Sequence, residues 1–296
     1  MRVLVTGERG KVGVPVAEHL RRSGYEVTGF DLADGADVLD LAAISRAAQG
    51  CAAIVHLAAL AHDNAGRPEQ IMAVNVLGTW HVLLAAEAAG ASRVICFSSA
   101  QALGIAEGER LPDYFPVGDD HPRRAMRPYG LSKVLVEDMC AGFTARTGIP
   151  TVCPRPVAVW NVARYATVEA LWRDLPGAEW EPFWEYGAFV DARDVAAAVD
   201  LALTVPLSGH HRTLLCADDI AGTAPSLELA ARLAPGVPVT DPGRYRADPC
   251  AALLDCRAAA TLLGWKAAYR WSGRGNAEAG AVSAADPPRP ARPPTP

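Results

Sequence analysis

The stretch Arg2-Val3-Leu4-Val5-Thr6-Gly7-Glu8-Arg9-Gly10-Lys11-Val12-Gly13 decides the fold. Val3 to Thr6 reads as a short buried strand, and glycines at 7, 10 and 13 lead straight from it into an amphipathic segment, Val12 to Arg22. Strand, glycine turn and helix make a β-α unit. Its backbone approaches a diphosphate closely, and the free amides and positive dipole end of the helix favour the negative charge. Thr6, Gly7, Arg9, Gly10, Lys11, Val12 and Gly13 are therefore candidate cofactor-binding residues. Asp31 ends the next predicted strand, Glu26 to Asp31, close to the offset of a carboxylate that accepts hydrogen bonds from adenosine ribose hydroxyls. A carboxylate there repels a 2′-phosphate, so NAD is preferred; Arg9 and Lys11 partly offset that repulsion and leave NADP as the alternative.

Working outward, short β-branched runs alternate with amphipathic ones. Leu41 to Ala48 follows the second strand, Ala53 to Leu57 precedes Ile71 to Ala89, and Arg93 to Ser98 comes next. A helix ends near Thr147 at Gly148, followed by the strand Thr151 to Val159, and Gly24 and Gly90 sit at C-cap positions. This alternation predicts an α/β fold, a Rossmann-type doubly wound parallel sheet, over residues 1–159.

Residues 160–186 hold four tryptophans (160, 172, 180 and 184) and lack clear periodicity; local core is the favoured reading for them. Helices are predicted from Asp194 to Thr204, Ser226 to Leu233 and Arg257 to Leu263, capped by an aspartate, Ser226 and Asp255. Residues 160–272 should thus form a small C-terminal substrate lobe, partly interleaved with the first domain. Residues 273–296 read as a disordered Pro-rich tail.

Bulk properties narrow the function. The chain has 296 residues, is 50% hydrophobic and carries a net charge of −5 with interspersed signs, which describes a globular protein and discounts a nucleic-acid partner. No secretory leader opens it and no 18-residue stretch is free of charged and strongly polar side chains, so a cytoplasmic protein without a membrane span is expected. Its 7 cysteines are scattered without a C-x-x-C step, which suggests neither a disulfide framework nor a metal site.

The segment Arg127-Pro128-Tyr129-Gly130-Leu131-Ser132-Lys133 carries the chemistry. A spacing of four stacks Tyr129 and Lys133 on one helix face. A phenol is a poor base at neutral pH because its ordinary pKa is about 10, and a fixed ammonium beside it favours the phenolate. Only Lys11, Lys133 and Lys266 are lysines among 28 basic residues, so a lysine at this spacing is not compositional background.

Taken together, the pieces resemble the extended short-chain dehydrogenase/reductases, the NAD-dependent epimerase/dehydratase group, over roughly residues 1–272. They are the glycine motif, Asp31, Asp40-Leu41, His56-Leu57-Ala58-Ala59, Asn75-Val76-x-Gly78-Thr79, Ser98-Ser99 with Gly104, Tyr129-x-x-x-Lys133, Arg155-Pro156 and Phe189-Val190-Asp191-x-x-Asp194-Val195-Ala196. The resemblance implies a catalytic set of Ser99, Tyr129 and Lys133. Ser99 hydrogen-bonds the reacting oxygen, Tyr129 exchanges the proton, and Lys133 also holds the nicotinamide ribose. It further implies that Asp40 and Leu41 meet the adenine end, and that Leu57, Ala58, Ala59, Asn75, Arg155 and Pro156 line the cofactor cleft. A homodimer through the Tyr129 helix and the 71–89 helix is the family expectation.

Departures from the family pattern shape the substrate expectation. Ala100 and Gln101 stand where 4,6-dehydratases place an Asp-Glu acid/base pair, so elimination of water lacks its catalysts. Leu103 replaces the usual Tyr before Gly104, and Val159-Trp160-Asn161 replaces V-Y-G-P. The lobe after Arg155 is short for a nucleotide sugar. The family's uronate dehydrogenases, which oxidise free sugar acids, are similarly compact, and Arg164 or Arg173 is a candidate cation for a carboxylate, although a surface side chain is the favoured reading of either. The Asn-His pair that follows the serine in those enzymes is Ala100-Gln101 here. Candidate substrate contacts are His62, Ala100, Gln101, Asn161 and Arg164. His56, His62 and His121 lack metal-ligand spacing and read as structural.

The expected activity is NAD-dependent hydride transfer at a secondary alcohol or ketone of a sugar-like or polyhydroxylated small molecule. The alternatives are a nucleotide-sugar epimerase and, less favoured, a non-catalytic NAD(P) sensor.

Overall fold

The computed structural model describes residues 1–106, 109–174, 186–222 and 224–271, with the backbone alone of 171–174. Trp180, Trp184, the side chains of Trp172 and Arg173 and the tail 273–296 lie outside the described residues.

Strands β1 (Arg2–Thr6), β2 (Glu26–Phe30), β3 (Ala53–His56), β4 (Arg93–Cys96) and β5 (Thr151–Pro156) form a parallel sheet that β8 (His210–Leu215) completes, in the order β2-β1-β3-β4-β5-β8. β6 (Ala158–Trp160) and β7 (Phe189–Asp191) pair in a second, two-stranded parallel sheet. Successive strand residues face opposite sides: Val3 and Val5 join one core with Val55 and Ile95, while Leu4 joins the other with Ile54 and Val94. Helices cover both faces, as a parallel sheet requires. α1 (Gly13–Arg22) and α7 (Ala192–Thr204) bury Val16, Leu20, Val195 and Val199 on the first face. α2 (Leu41–Ala48), α4 (Gly78–Ala88) and α5 (Pro128–Thr147) bury Ile44, Val82, Leu83, Val136 and Phe143 on the second. Fully burying each such side chain is worth about 1.5–3 kcal/mol.

Several local expectations change. Thr151 to Val159 is not one strand, because the chain leaves the main sheet after Pro156 and continues as β6. Pro154 and Pro156 have no N–H to give, and the β4–β5 register stops at Ile95–Val152 while the β8 side runs on to Pro156–Leu215. Ile71 to Ala89 is a composite: α3 (Pro68–Met72), a π-helical turn (Ala73–Leu77) and α4. The segment without periodicity contains α6 (Val162–Asp174), whose described side chains bury only Tyr165 and Val168, too narrow a stripe to register as a helix pattern.

The remaining helices are α8 (Ser226–Leu233), α9 (Pro242–Ala247) and α10 (Arg257–Leu263). β8 and α9 had no sequence signal. Ser226 does not cap α8; its hydroxyl donates to the Ala251 carbonyl. Asp191 and Asp255 do accept from the backbone N–H groups of Arg193 and Arg257. Trp160 is core, stacked on Phe189 at 4.7 Å and edge-on to Tyr165.

Residues 68–88 form, among the described residues, one helix long and apolar enough to cross a membrane, which composition had been expected to exclude. Ile71, Val82, Leu83 and Ala86 are fully buried in the protein.

Candidate active site

The sheet register puts Phe30, Thr6, His56 and Cys96 in one row at the carboxyl ends of β2, β1, β3 and β4. The residues that follow them, Gly7, Asp31, Leu57 and Phe97, therefore share the edge where open α/β sheets hold ligands. Gly7 has a φ of +71°, and a Cβ on it would lie 2.6 Å from the Ala58 nitrogen. A Cβ on Gly13 would lie 1.9 Å from the Gly7 carbonyl oxygen, so α1 starts in direct contact with the turn. Gly13→Ala is expected to lower stability by about 1–3 kcal/mol or more, because both groups are backbone and neither yields. Urea denaturation checks it, and an unchanged midpoint would contradict this packing.

α1 has no side-chain N-cap and no acidic residue in its first turn, so no side chain there competes with an external anion, although the Val14 N–H already bonds the Gly10 carbonyl and Pro15 has none to offer. Asp31 is extended, with one carboxylate oxygen accepting from the Arg9 N–H and the other from the Ala33 N–H, each at 2.9 Å. Arg9 itself pairs with Asp34 at the surface. Asp40, expected at the adenine end, commits one oxygen to capping α2 through the Ala43 N–H, and Leu41 is the first residue of that helix.

Beneath the turn runs a hydrogen-bonded chain whose direction follows from its ends. The Thr79 hydroxyl donates to the Asn75 carbonyl, so it accepts from His56 Nε2 at 3.0 Å. His56 Nδ1 then accepts from the Thr6 hydroxyl at 2.6 Å, and Thr6 in turn accepts from the Ala58 N–H. Burial, aided by the charge of Lys133, pushes the His56 pKa down to about 3, so this ring is neutral and structural. Asn75 bonds both polar backbone groups of Leu60 and the Ser132 hydroxyl, and Ser132 donates to the Tyr129 carbonyl. Asn75 thus ties the segment after Ala58 and Ala59 to the tyrosine helix.

Ser99 precedes a short 3-10 turn (Ala100–Leu103) closed by Gly104 in the left-handed region. α5 has Pro128 in its first turn and ends at Gly148, φ +74°. Gly130 lets the two approach: a Cβ there would lie 2.7 Å from the Gln101 carbonyl oxygen. Ser99, Tyr129 and Lys133 are 7%, 7% and 5% exposed. Lys133 Nζ lies 5.7 Å from the Tyr129 ring centroid and donates to the Phe97 carbonyl at 2.8 Å, which leaves its other N–H groups to other acceptors. Burial lowers the Lys133 pKa, while Cys96, Cys153, Cys140 and Glu137 oppose that shift.

Two groups that sequence reasoning missed hold the start of α5. Asp63 accepts from the Tyr129 N–H at 2.8 Å, and Glu109 accepts from the N–H groups of Met126 and Arg127. Neither has a spacing signal, since each reaches α5 from a distant loop.

Arg155 turns away from the cleft. Its guanidinium is fully buried and bonds both oxygens of Glu137 at 2.7 and 2.8 Å and the Asp119 carbonyl at 2.8 Å, so its side chain is committed to a core ion pair. Ala100 is likewise fully buried in the core and offers a substrate no surface. His62 is exposed, and Gln101 is half-buried. His121 Nε2 accepts from the Asp113 N–H, a structural role. Asn161 accepts from the Arg164 N–H at the start of α6. Asn161 and Arg164 line a cleft of about 390 Å³ with Lys11, Trp160, Thr167 and Ala192, which brings the glycine turn opposite α6.

A model of the NAD dependent epimerase/dehydratase family matches residues 3–216. The chain belongs to this family. Among curated members of it, the uronate dehydrogenase of Pseudomonas syringae pv. tomato is 32% identical over 167 residues, covering 52% of this chain and 58% of that protein. The UDP-glucose 4-epimerase of Streptomyces lividans is 32% identical over 181 residues, covering 55% and 52%. The matches thus span less than two thirds of these relatives' length. A crystal structure of a short-chain dehydrogenase/reductase superfamily protein from Agrobacterium tumefaciens with bound NAD aligns with a TM-score of 0.68 at 26% identity, over 91% of this chain and 93% of that one. This family member shares the parallel sheet flanked by helices described above.

Proposed function

We propose that the chain is an NAD-dependent oxidoreductase acting at a secondary alcohol or ketone of a sugar-like small molecule, a free sugar acid being the favoured class. The observation that carries this is the buried Lys133 ammonium 5.7 Å from the Tyr129 ring, on the strand edge that also bears Ser99 and faces the glycine turn.

The turn fits a dinucleotide: the space a Cβ would fill at Gly7 and Gly13 is closed by backbone, and the amides of α1 are uncapped by any side chain. Gly7, Gly10 and Gly13 would hold the diphosphate and Asp31 the adenosine ribose. When bound, NAD supplies the hydride acceptor or donor. The chain supplies the rest. The Ser99 hydroxyl orients the substrate oxygen, the Tyr129 hydroxyl gives or takes its proton, and the Lys133 charge favours the phenolate form. Low exposure of all three side chains limits water at that step. The sugar-acid class rests on Lys11 and Arg164, two cations lining the same cleft, and on the similarity to uronate dehydrogenases.

Equal identity to a UDP-glucose 4-epimerase supports a second reading, in which the same three residues serve oxidation and re-reduction of one carbon. A homodimer is part of the proposal as well. Leu77, Trp80, Leu131 and Leu135 are exposed apolar residues on the 68–88 helix and on α5.

Incubating the purified protein with NAD and a panel of sugars, uronic acids and nucleotide sugars tests the activity. Stoichiometric NADH at 340 nm with a uronic acid is the expected result, with kcat/KM higher for NAD than for NADP. An isomerised nucleotide sugar with no net absorbance change would replace this reading by the epimerase, and a preference for NADP would overturn the role of Asp31.

A further inference from the structure

Three consecutive residues at the end of β4 organise the proton-transfer pair: Phe97 takes the Lys133 ammonium, Ser98 donates to Glu137 at 2.6 Å, and Ser99 offers the reacting hydroxyl. Glu137 lies one turn beyond Lys133 on α5, as Lys133 lies one turn beyond Tyr129, so phenol, ammonium and carboxylate form an i, i+4, i+8 row on the buried face of the helix. Glu137 is fully buried. Burial alone would keep its carboxyl protonated, but hydrogen bonds from Arg155 and Ser98 and the charge of Arg123 outweigh that and hold its pKa below the ordinary value. A buried anion therefore stands next in line to a buried cation in a region otherwise made of Val136, Phe143, Cys96, Cys140 and Cys153.

We propose that Glu137 is a positioning residue of the Tyr129–Lys133 pair, fixing the β4 end through Ser98 and standing as a fixed anion one helix turn beyond the Lys133 ammonium. The inference rests on the reading of Tyr129 and Lys133 as the proton-transfer pair. Two functions meet in one side chain. As a hydrogen-bond acceptor, it locks the Ser98 rotamer and, with the Ser98 N–H bonded to the Pro154 carbonyl, immobilises the backbone that presents the Phe97 carbonyl and the Ser99 hydroxyl. As a charge, it joins Cys96, Cys153 and Cys140, which contribute more, in opposing the lowering of the Lys133 pKa by burial. The other titratable groups facing Lys133 are Cys96 on β4, Cys153 on β5, Cys140 on α5 and His56 on β3. Those facing Glu137 are Arg155 on β5, Arg123, and Arg212 on β8 at 3.8 Å. Arg155 is in turn held by Asp119, so the carboxylate is fixed from the far side as well.

The chain's three lysines allow a direct test, since the 13Cε signals of Lys11, Lys133 and Lys266 are few enough to titrate individually, with Lys133→Met assigning one of them. In Glu137→Gln the Lys133 midpoint should fall by roughly 1–3 pH units, because the stabilising anion is gone. The basic limb of the kcat–pH profile should move the same way, and Glu137→Asp should restore both. Ser98→Ala keeps the charge and should lower kcat more than it alters KM, with the lysine midpoint unmoved. Should Glu137→Gln fail to fold around an unpaired Arg155, the Lys133 midpoint of Glu137→Gln/Arg155→Met is compared with that of Arg155→Met alone, since the two differ only in the Glu137 charge, and the double variant should show the lower midpoint. An unmoved Lys133 midpoint in the folded variant overturns the proposal. The titration does not depend on turnover: a shifted midpoint in a protein inactive on every sugar tried would sink the oxidoreductase reading and leave the electrostatic role of Glu137 standing.

Discussion

Tyr129→Phe is expected to lower kcat by about a hundredfold or more while leaving NAD affinity unchanged. The substitution removes one oxygen from a ring that is 7% exposed, so packing in α5 survives and the backbone bond from the Tyr129 N–H to Asp63 is untouched. What disappears is the hydroxyl proposed to exchange the substrate proton. The glycine turn and Asp31 lie on other elements and do not involve that oxygen. Steady-state kinetics with the best substrate from the panel, together with calorimetric titration of NAD, would separate the two effects. Full activity in the phenylalanine variant would remove Tyr129 from the chemistry and revive the non-catalytic sensor.

The largest loss of stability is expected from Arg155→Met, about 3–5 kcal/mol by chemical denaturation, because it strands the fully buried Glu137 carboxylate without its main partner. Buried ion pairs are costly to break and cheap to replace whole, so Glu137→Gln added to Arg155→Met should recover much of the loss. Additive losses in the double variant would mean the two side chains are not coupled in the way their 2.7 and 2.8 Å contacts imply. Burial dominates the sign here. An exposed pair of the same geometry, such as Arg146 and Glu87, sits in water that screens it and solvates either partner left alone.

The parts of the site legible in the sequence were those whose chemistry is local. The glycine turn, Asp31 and the Tyr129–Lys133 step each work through spacing within one turn or one helix, and spacing is what a chain records. Gly148 and Gly24 were readable for the same reason, since a helix end needs a left-handed residue and glycine supplies it. The inward turn of the Arg155 side chain was not legible, because a motif position does not say which way a side chain points. Its strand continues between β4 and β8, and the guanidinium turns inward to a carboxylate on another element. α6 went unseen because the two buried side chains among its described ones make no stripe, and the π-helical turn at Asn75 because an extra residue in a helix leaves the apolar pattern nearly intact.

By itself the amino-acid order determined that the chain builds a parallel sheet with a tight glycine turn after its first strand, and that a phenol and an ammonium share one helix face. These follow from periodicity and backbone freedom, which act over a few residues. Tertiary structure alone decided that Asp63 and Glu109 hold the start of α5, that Asn75 links Leu60 to the tyrosine helix, that Lys11 meets Arg164 across a cleft, and that Glu137 stands behind Lys133 with Arg155 and Ser98 attached. The physical reason is that a buried polar group must find a partner wherever the packing puts one, and the packing joins residues that lie far apart along the chain.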